Sequence, residues 1–207
     1  MERLKSAQIT NTGKFVLVLG ILVFTAPARS GGVEYVSLGI NVMLGVRYDD
    51  LRMCVATPAG VKGGPVADIM LDTRLHFTED LSLCFKLPVM RPILFGLKFD
   101  MLQFEPEIIV EYRSRINDNV DLVLGPGIGL SLHYGPDYTT PDDAADPERF
   151  FAAGPIISGL AGIGFRGSSG REHIIGVRPF YTPLFSDARP TGTVLGAAIE
   201  GHIGLSD

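Results

Sequence analysis

The fold is decided by residues 101–134, MLQFEPEIIVEYRSRINDNVDLVLGPGIGLSLHY, in which apolar and polar side chains alternate on both sides of a short turn. Even positions are apolar except Ser114 and Asp118 near the turn, whereas odd positions include carboxylates, amides and hydroxyls. A period of two held this long is typical of β-strands with one apolar face. The RINDN segment at 115–119 favours a turn, so the stretch predicts a long β-hairpin.

The length of this hairpin indicates its environment. Each arm keeps its alternation for about fourteen residues, whereas strands of soluble proteins usually run about five or six. A tilted strand that crosses a bilayer needs about nine to eleven residues. Both arms are therefore long enough to span a membrane.

The N-terminus has the features of an export signal. Arg3, Lys5 and Lys14 accompany an apolar run at 15–24, and Ala26-Pro27-Ala28 follows it. This order predicts a secretory signal peptide, residues 1–28, that is cleaved after Ala28. A retained membrane anchor is the alternative, but the run is shorter than the roughly twenty residues of a spanning helix.

The mature chain, residues 29–207, has the size of one domain. Removal of residues 1–28 takes away three basic side chains and one acidic side chain, which moves the formal charge from -5 to about −7. An acidic chain argues against nucleic acid as a partner. A second long apolar run is absent, which argues against a helical membrane protein.

The alternation extends over the rest of the chain and predicts eight strands. They lie at 33–48, 65–77, 81–90, the two arms of the hairpin, 150–166, 172–185 and 191–205. Residues 49–64 and 91–100 are interpreted as connections, although 51–57 could extend a strand. Residues 135–149 hold three prolines and five acidic side chains with few apolar residues, so they predict a long solvated loop.

Eight alternating strands are compatible with a membrane barrel whose apolar face is outside or with a soluble barrel whose apolar face is inside. Short turns near 79, 117 and 169 alternate with generally longer connections, which is the asymmetry of outer-membrane barrels. Glycines on the polar face also suit a narrow lumen. The sequence therefore favours an all-β, eight-stranded antiparallel up-and-down transmembrane barrel.

Aromatic residues of the apolar face collect at the strand ends and predict two girdles, one at each membrane interface. The loop-side girdle comprises Tyr48, Tyr134, Phe151 and Phe185, and the turn-side girdle comprises Phe77, Tyr112 and Phe165.

On these features the chain resembles the eight-stranded outer-membrane barrels of the OmpA/OmpX/OmpW type over residues 33–205. The turn segments TEDLSL at 78–83 and NDNVDL at 117–122 contribute to the resemblance. It implies an outer-membrane location in a Gram-negative-type (diderm) bacterium, with membrane lipid as partner and a monomeric state.

Two features of the sequence depart from this type of barrel. The chain ends in Ser206-Asp207 instead of an aromatic residue, and prolines that predict bulges lie within strands at Pro106, Pro126, Pro155, Pro179 and Pro183.

Tight turns of three residues would keep like faces together across each hairpin. This register predicts three opposite-charge pairs inside the barrel: Asp72 with Lys86, Arg113 with Asp121, and Arg166 with Glu172. Such cross-strand pairs stabilise a sheet by about 0.2–1 kcal/mol where exposed. Solvated pairs beside the turns are the alternative, above all for Arg166 and Glu172.

No catalytic, cofactor or metal site is predicted. His76, His133 and His202 face the lumen from different strands without metal-ligand spacing. Ser131 and His133 are two apart on one face, but a lipid-modifying enzyme would need both open to the lipid, whereas both point inward. Cys54 in a loop and Cys84 in mid-strand predict no disulfide.

Three functional hypotheses remain. The first is a small outer-membrane barrel with a structural, surface-interaction or narrow small-solute pore role, for which a surface ligand would bind at residues 135–150. The second is an exported soluble barrel, similar to lipocalins, that binds an apolar ligand, and the least favoured is a lipid-modifying enzyme. Because eight strands enclose an interior that side chains can fill, we expect a plugged lumen.

Overall fold

The computed structural model describes residues 32–50, 61–97, 101–136, 149–167, 171–186 and 192–205. All of them except Gly32 belong to one compact unit, residues 33–207. The predicted signal peptide and segment 51–57 lie outside the described residues.

Nine strands and one short helix make up the described chain. They are β1 (Tyr35–Asp49), β2 (Gly64–His76), β3 (Leu81–Pro88), α1 (Met90–Gly96), β4 (Leu102–Phe104), β5 (Glu107–Asn117), β6 (Val120–Pro136), β7 (Arg149–Arg166), β8 (Glu172–Ser186) and β9 (Gly192–Gly204). The short helix was not predicted from the sequence. Its proline, Pro92, lies in the first turn, where the missing N–H costs no helical hydrogen bond.

The strands close into a barrel in which neighbours along the chain are antiparallel. The ladder runs from β1 through β2, β3 and β5 to β6, and returns through β7, β8 and β9 to β1. Strands β4 and β5 both pair with β6, so they form one arm that is interrupted at Glu105 and Pro106. The ring therefore has eight members, which confirms the predicted fold. We refer to the end with the tight turns near residues 79 and 118 as the turn end, and to the opposite end as the loop end.

The apolar face of this barrel points outward. Val46 is 68% exposed and Ile128 is 67% exposed, whereas the inward Glu111 and Asp72 are 0% and 1% exposed. A soluble barrel with an apolar interior requires the reverse orientation. The structure therefore confirms the transmembrane form of the fold and excludes the lipocalin-like interpretation.

No helix among the described residues is long and apolar enough to cross a membrane.

The predicted bulges at the strand prolines are wrong. The partners on both sides of Pro126 keep one register, since Ile109 lies opposite Gly127 and Tyr112 lies opposite Leu124. The other four prolines likewise leave the register unshifted, and they remove ladder pairs instead. This is the expected effect of a missing N–H donor when the pleat itself is maintained.

One predicted cross-strand pair is also wrong. Arg113 lies opposite Val123, and Arg115 lies opposite Asp121. The turn between β5 and β6 has two residues instead of three, and a register shift between Arg115 and Asn117 supplies the extra residue. A bulge beside the turn thus keeps the polar faces together.

Candidate functional site

The polar interior of the barrel is the candidate site. Among the described residues, buried charged side chains comprise six cations and eight carboxylates. They are Arg47, Arg74, Lys86, Arg91, Arg113 and Arg178, and Asp49, Asp68, Asp72, Glu105, Glu107, Glu111, Asp121 and Glu200. Alternation places the strand residues among them inside, because every second residue of a strand faces the lumen, whereas Arg91 lies on α1 and Glu105 lies between β4 and β5.

An arginine cluster occupies the turn end of the lumen. Glu111 accepts hydrogen bonds from Arg74 Nε at 2.9 Å and from Arg113 Nη2 at 2.8 Å. Arg113 Nε also donates to Glu172 Oε1 at 2.8 Å, which links β5 to β8 across the interior. Ser82 donates its hydroxyl to Glu111 as well. These contacts neutralise each buried charge with at least one partner of opposite sign.

Above this cluster a second group bridges β2, β3 and β9. Lys86 Nζ lies 3.6 Å from Asp72 Oδ2 and donates to Glu200 Oε1 at 2.8 Å. Asp72 Oδ2 also lies 3.0 Å from His202 Nδ1. Register alone places Asp72 opposite Lys86, whereas Glu200 and His202 reach them from across the closed sheet.

The middle of the lumen holds Arg178 and Glu107 as an ion pair between β8 and β5. Ser158 donates to Glu107 Oε2 at 2.6 Å, and Arg178 also contacts the Met43 sulfur. This level therefore crosses the lumen from one wall to the other.

At the loop end, Glu105 is the centre of a further cluster. Glu105 Oε1 accepts from Ser131 Oγ at 3.1 Å and lies 2.9 Å from His133 Nε2. Arg91 of α1 reaches into the barrel, where its Nη1 donates to Glu105 Oε2 at 2.7 Å and its Nε lies 3.3 Å from Asp68 Oδ2. Glu105 lies in the interruption between β4 and β5, outside the regular strand. Its carboxylate contacts Arg91, Ser131 and His133.

This cluster does not have the geometry of a hydrolase. Ser131 donates to Glu105 instead of to His133, so the histidine is not placed to activate the hydroxyl. A nucleophile needs its base within hydrogen-bond reach and an orienting group behind that base.

Near the loop end, the lumen wall formed by β7, β8 and β9 is apolar. One cluster near the loop end, which we call the apolar wall, comprises Phe150 and Ala152 of β7, Leu184 of β8 and Val194 of β9. Met101 and Phe180 pack against it. Near the loop end, the lumen thus holds ion pairs on one side and hydrocarbon on the other.

Partners of two predicted ion pairs are exchanged in the structure. Arg113 binds Glu172, and Arg166 Nη2 lies 3.6 Å from Asp121 Oδ2. Arg166 does lie opposite Glu172 in the ladder. Arginine side chains are long enough to reach acidic groups on other strands at the end of the barrel, so backbone register does not determine their contacts.

The residues of the two predicted girdles lie at opposite ends of the outer surface. Tyr48, Phe151 and Phe185 at the loop end and Tyr112 and Phe165 at the turn end are exposed. Tyr134 and Phe77 are half-buried. The Tyr134 ring contacts the edge of Phe95 on α1, with centroids 6.0 Å apart.

Sequence reasoning missed Arg91 because it lies in a presumed connection without a period. The signal available was a lone basic residue within an otherwise apolar segment, MRPILFG. Asp49 was assigned to a loop, yet it ends β1 and lies 2.8 Å from Arg47.

At the loop-end rim, outside the membrane-spanning part, Lys62 donates to Asp50 at 2.9 Å, and this hydrogen bond raises the pKa of Lys62. Within the described ranges, no group of three or more His, Cys, Asp and Glu side chains is placed to hold a metal ion. Cys84 is buried as a free thiol, and Cys54 lies outside those ranges.

A closed ring of eight antiparallel strands with an apolar exterior and an ionic interior defines the class: an eight-stranded transmembrane β-barrel. The chain is similar to the solved structure of Neisserial surface protein A (NspA), with 11% identity, coverage of 81% of this chain and 98% of that one, and a TM-score of 0.48. It is also similar to Ail, the attachment invasion locus protein of Yersinia pestis, with 17% identity, coverage of 82% and 96%, and a TM-score of 0.39.

A second structure of Ail, in complex with the heparin analogue sucrose octasulfate, gives 14% identity, coverage of 82% and 96%, and a TM-score of 0.39. No family model and no curated protein sequence matches the chain.

Proposed function

We propose that this protein is an integral outer-membrane barrel whose lumen is closed to solute flow and whose interactions take place at its loop end. The observation that carries the proposal is the series of buried ion pairs along the lumen, from Arg113 and Glu111 through Lys86 and Glu200 to Arg91 and Glu105. A role in general diffusion would require that space to be open.

Physical arguments support a closed interior. Eight strands enclose only enough room for side chains, whereas aqueous channels come with about sixteen or more strands. The interior charges are buried, so an ion that entered would have to displace paired groups that are costly to separate. We expect any residual conductance to be small.

Sequence and topology support the proposed outer-membrane location and orientation. The export signal at 1–28 is expected to direct the chain out of the cytoplasm. Tight turns at one end and longer connections at the other are the asymmetry of bacterial outer-membrane barrels, which supports a loop end that faces the cell surface. Because the closed sheet has no free edge to pair, we expect a monomer.

A surface role is supported by charge. Residues 135–149, of which 137–148 lie outside the described part of the chain, carry five acidic side chains and one arginine. Such a segment attracts cationic partners by long-range electrostatics and loses that attraction as salt rises. The ligand class that we propose is therefore a polycation or the basic patch of a protein.

Membrane insertion and closure can be tested together. The refolded protein should shift its gel mobility on heating and resist carbonate extraction from vesicles. Vesicles that contain it should swell in isosmotic arabinose no faster than empty vesicles. Recovery as a detergent-free monomer would contradict membrane insertion, and rapid swelling would contradict the closed lumen.

The surface role can be tested with vesicle-embedded protein and fluorescent poly-lysine. We expect binding that weakens as salt rises. Neutralisation of Asp142, Asp143, Asp146 and Glu148 by Asn or Gln should remove most of it. Binding that is unchanged in this variant would contradict the role of the acidic segment.

A further inference from the structure

The ladder between β7 and β8, which we call the seam, is interrupted twice. Its pairing stops after Ala153 opposite Phe185 and resumes at Ile157 opposite Tyr181. It stops again after Ser158 opposite Phe180 and resumes at Ala161 opposite Val177. The ladders on either side, from β6 to β7 and from β8 to β9, continue without a gap over the same residues.

Prolines cause both interruptions. The flanking pairs place Pro155 of β7 directly opposite Pro183 of β8, and Gly159 opposite Pro179. A proline has no N–H to donate, so two facing prolines exchange no backbone hydrogen bond. A Cβ added at Gly154 would overlap the Pro183 carbonyl, which shows that the strands touch here. Close packing, instead of a ladder, holds the seam together.

The interior behind the interruption nearer the loop end, where Pro155 faces Pro183, is the apolar wall. Ala152 and Leu184 of this wall are fully buried, and Phe180 packs both against it and against the cluster that contains Met43 and Ala198. The exterior of the seam is also apolar, because Ile157, Tyr181 and Phe185 are exposed on the lipid-facing surface. Hydrocarbon therefore lies on both sides of the seam at the interruption nearer the loop end.

An independent observation indicates a ligand with a polar atom. The Thr182 hydroxyl is completely buried among these side chains and has no hydrogen-bond partner among the described residues. Buried hydroxyls are usually paired, because burial without a partner costs free energy. Thr182 is therefore a donor without an acceptor at the centre of the interrupted seam.

We propose that the β7–β8 seam admits one acyl chain of a bilayer lipid to the apolar wall, where the Thr182 hydroxyl donates a hydrogen bond to the carbonyl oxygen of the chain. Separation of β7 from β8 breaks few hydrogen bonds over residues 154–160. The chain leaves one apolar medium for another, so entry carries little desolvation cost. This inference relies only on the membrane placement within the proposed function.

Photo-crosslinking tests the proposal. The protein would be refolded in vesicles of phosphatidylethanolamine and phosphatidylglycerol with one of two probes, which carry the same mid-chain diazirine. One is phosphatidylethanolamine with the diazirine in an acyl chain, and the other is free palmitate. We expect the lipid probe to label the interior residues Ala152 and Leu184 as well as the exterior Ile157. Labelling of the exterior alone, or of the interior by free palmitate alone, would overturn the bilayer lipid as the source.

The matched variants restore backbone donors. Pro155→Val with Pro183→Val returns two N–H groups to the seam, so interior labelling should fall at least about tenfold while exterior labelling stays the same. Pro126→Val restores a donor between β5 and β6, beside the buried Glu111, and should leave interior labelling unchanged. Equal interior labelling in the double variant and the native protein would overturn the seam as the entry.

A second substitution keeps the test decisive if the double variant fails to fold. Thr182→Val keeps the shape of the side chain and removes the hydroxyl, so interior labelling by the lipid probe should fall about fivefold. A diazirine-bearing hexadecane, which has no carbonyl, should label both forms equally. Equal loss with both probes would contradict the hydrogen bond. Vesicle swelling tests the closed lumen and crosslinking tests the seam, so failure of one proposal can be distinguished from failure of the other.

Discussion

The two walls of the lumen use opposite chemistry to fill the same narrow space. The wall formed by β2, β3 and β5 carries Asp72, Lys86 and Glu111, each within an ion-pair network. The wall formed by β7 and β8 is apolar near the loop end and lacks several ladder pairs. Ion pairs fix a geometry because each partner must be matched, whereas hydrocarbon tolerates rearrangement. The charged wall is therefore the rigid part of the barrel, and the apolar wall is the part that can yield.

The largest change in the free energy of unfolding is expected where a charge on the charged wall is reversed. Asp72→Lys would place a cation beside Lys86 and Arg74, so the free energy of unfolding should fall by at least about 3–5 kcal/mol, the cost of breaking a buried pair. Denaturant titration followed by circular dichroism measures the change. The further substitution Lys86→Asp should recover only part of the loss, because the new carboxylate faces Glu200. Simple additivity of the two effects would contradict the pairing.

A cavity in the apolar wall should cost less. Leu184→Ala removes a fully buried side chain, which typically costs about 2–5 kcal/mol, and the yielding seam should place the value at the lower end of that range. Ile109→Ala, which removes a fully buried side chain from β5 of the charged wall, is the matched control. A greater loss for Leu184→Ala than for Ile109→Ala would contradict the difference in rigidity between the two walls.

Restoration of the seam should change stability in the opposite direction. Pro155→Val with Pro183→Val allows two new backbone hydrogen bonds, each worth about 0.5–1.5 kcal/mol, so the free energy of unfolding should rise. The same denaturant titration measures the gain. A loss of stability would show that the packing of the two prolines stabilises the seam more than the restored hydrogen bonds do.

The smallest effect is expected at the turn-end rim. Arg115 Nη2 lies 3.4 Å from Glu79 Oε2, and both side chains are exposed. Arg115→Ala should change the free energy of unfolding by less than about 1 kcal/mol, because solvent screens such pairs. A loss comparable to that of Asp72→Lys would mean that burial does not determine how much an ion pair contributes to stability.

The barrel itself was predictable, because one period of two determines both the strands and the faces that they present. Asp72 and Lys86 were also placed opposite each other correctly, since the turn between β2 and β3 has the assumed three residues. Arg113 was misassigned because a two-residue turn with a bulge has the same parity as a three-residue turn. Parity therefore predicts the face of a residue and leaves its register open.

Contacts across the lumen could not be predicted from local pattern. Glu200 and His202 meet Lys86 and Asp72 only because the sheet closes between β9 and β1, and Arg91 enters from a helix that has no clear periodic signal. The interruption of the β7–β8 ladder arises because Pro155 lies opposite Pro183. That arrangement depends on the strand register, which the sequence pattern does not determine. Each of these features depends on long-range pairing.

Planar-bilayer recording of the refolded native protein tests the closed lumen most directly. Because buried ion pairs connect the walls at several levels, we predict no steady current of porin scale, with at most small and infrequent openings. Large, stable steps that do not depend on voltage would contradict the closed lumen and would make solute diffusion the main function.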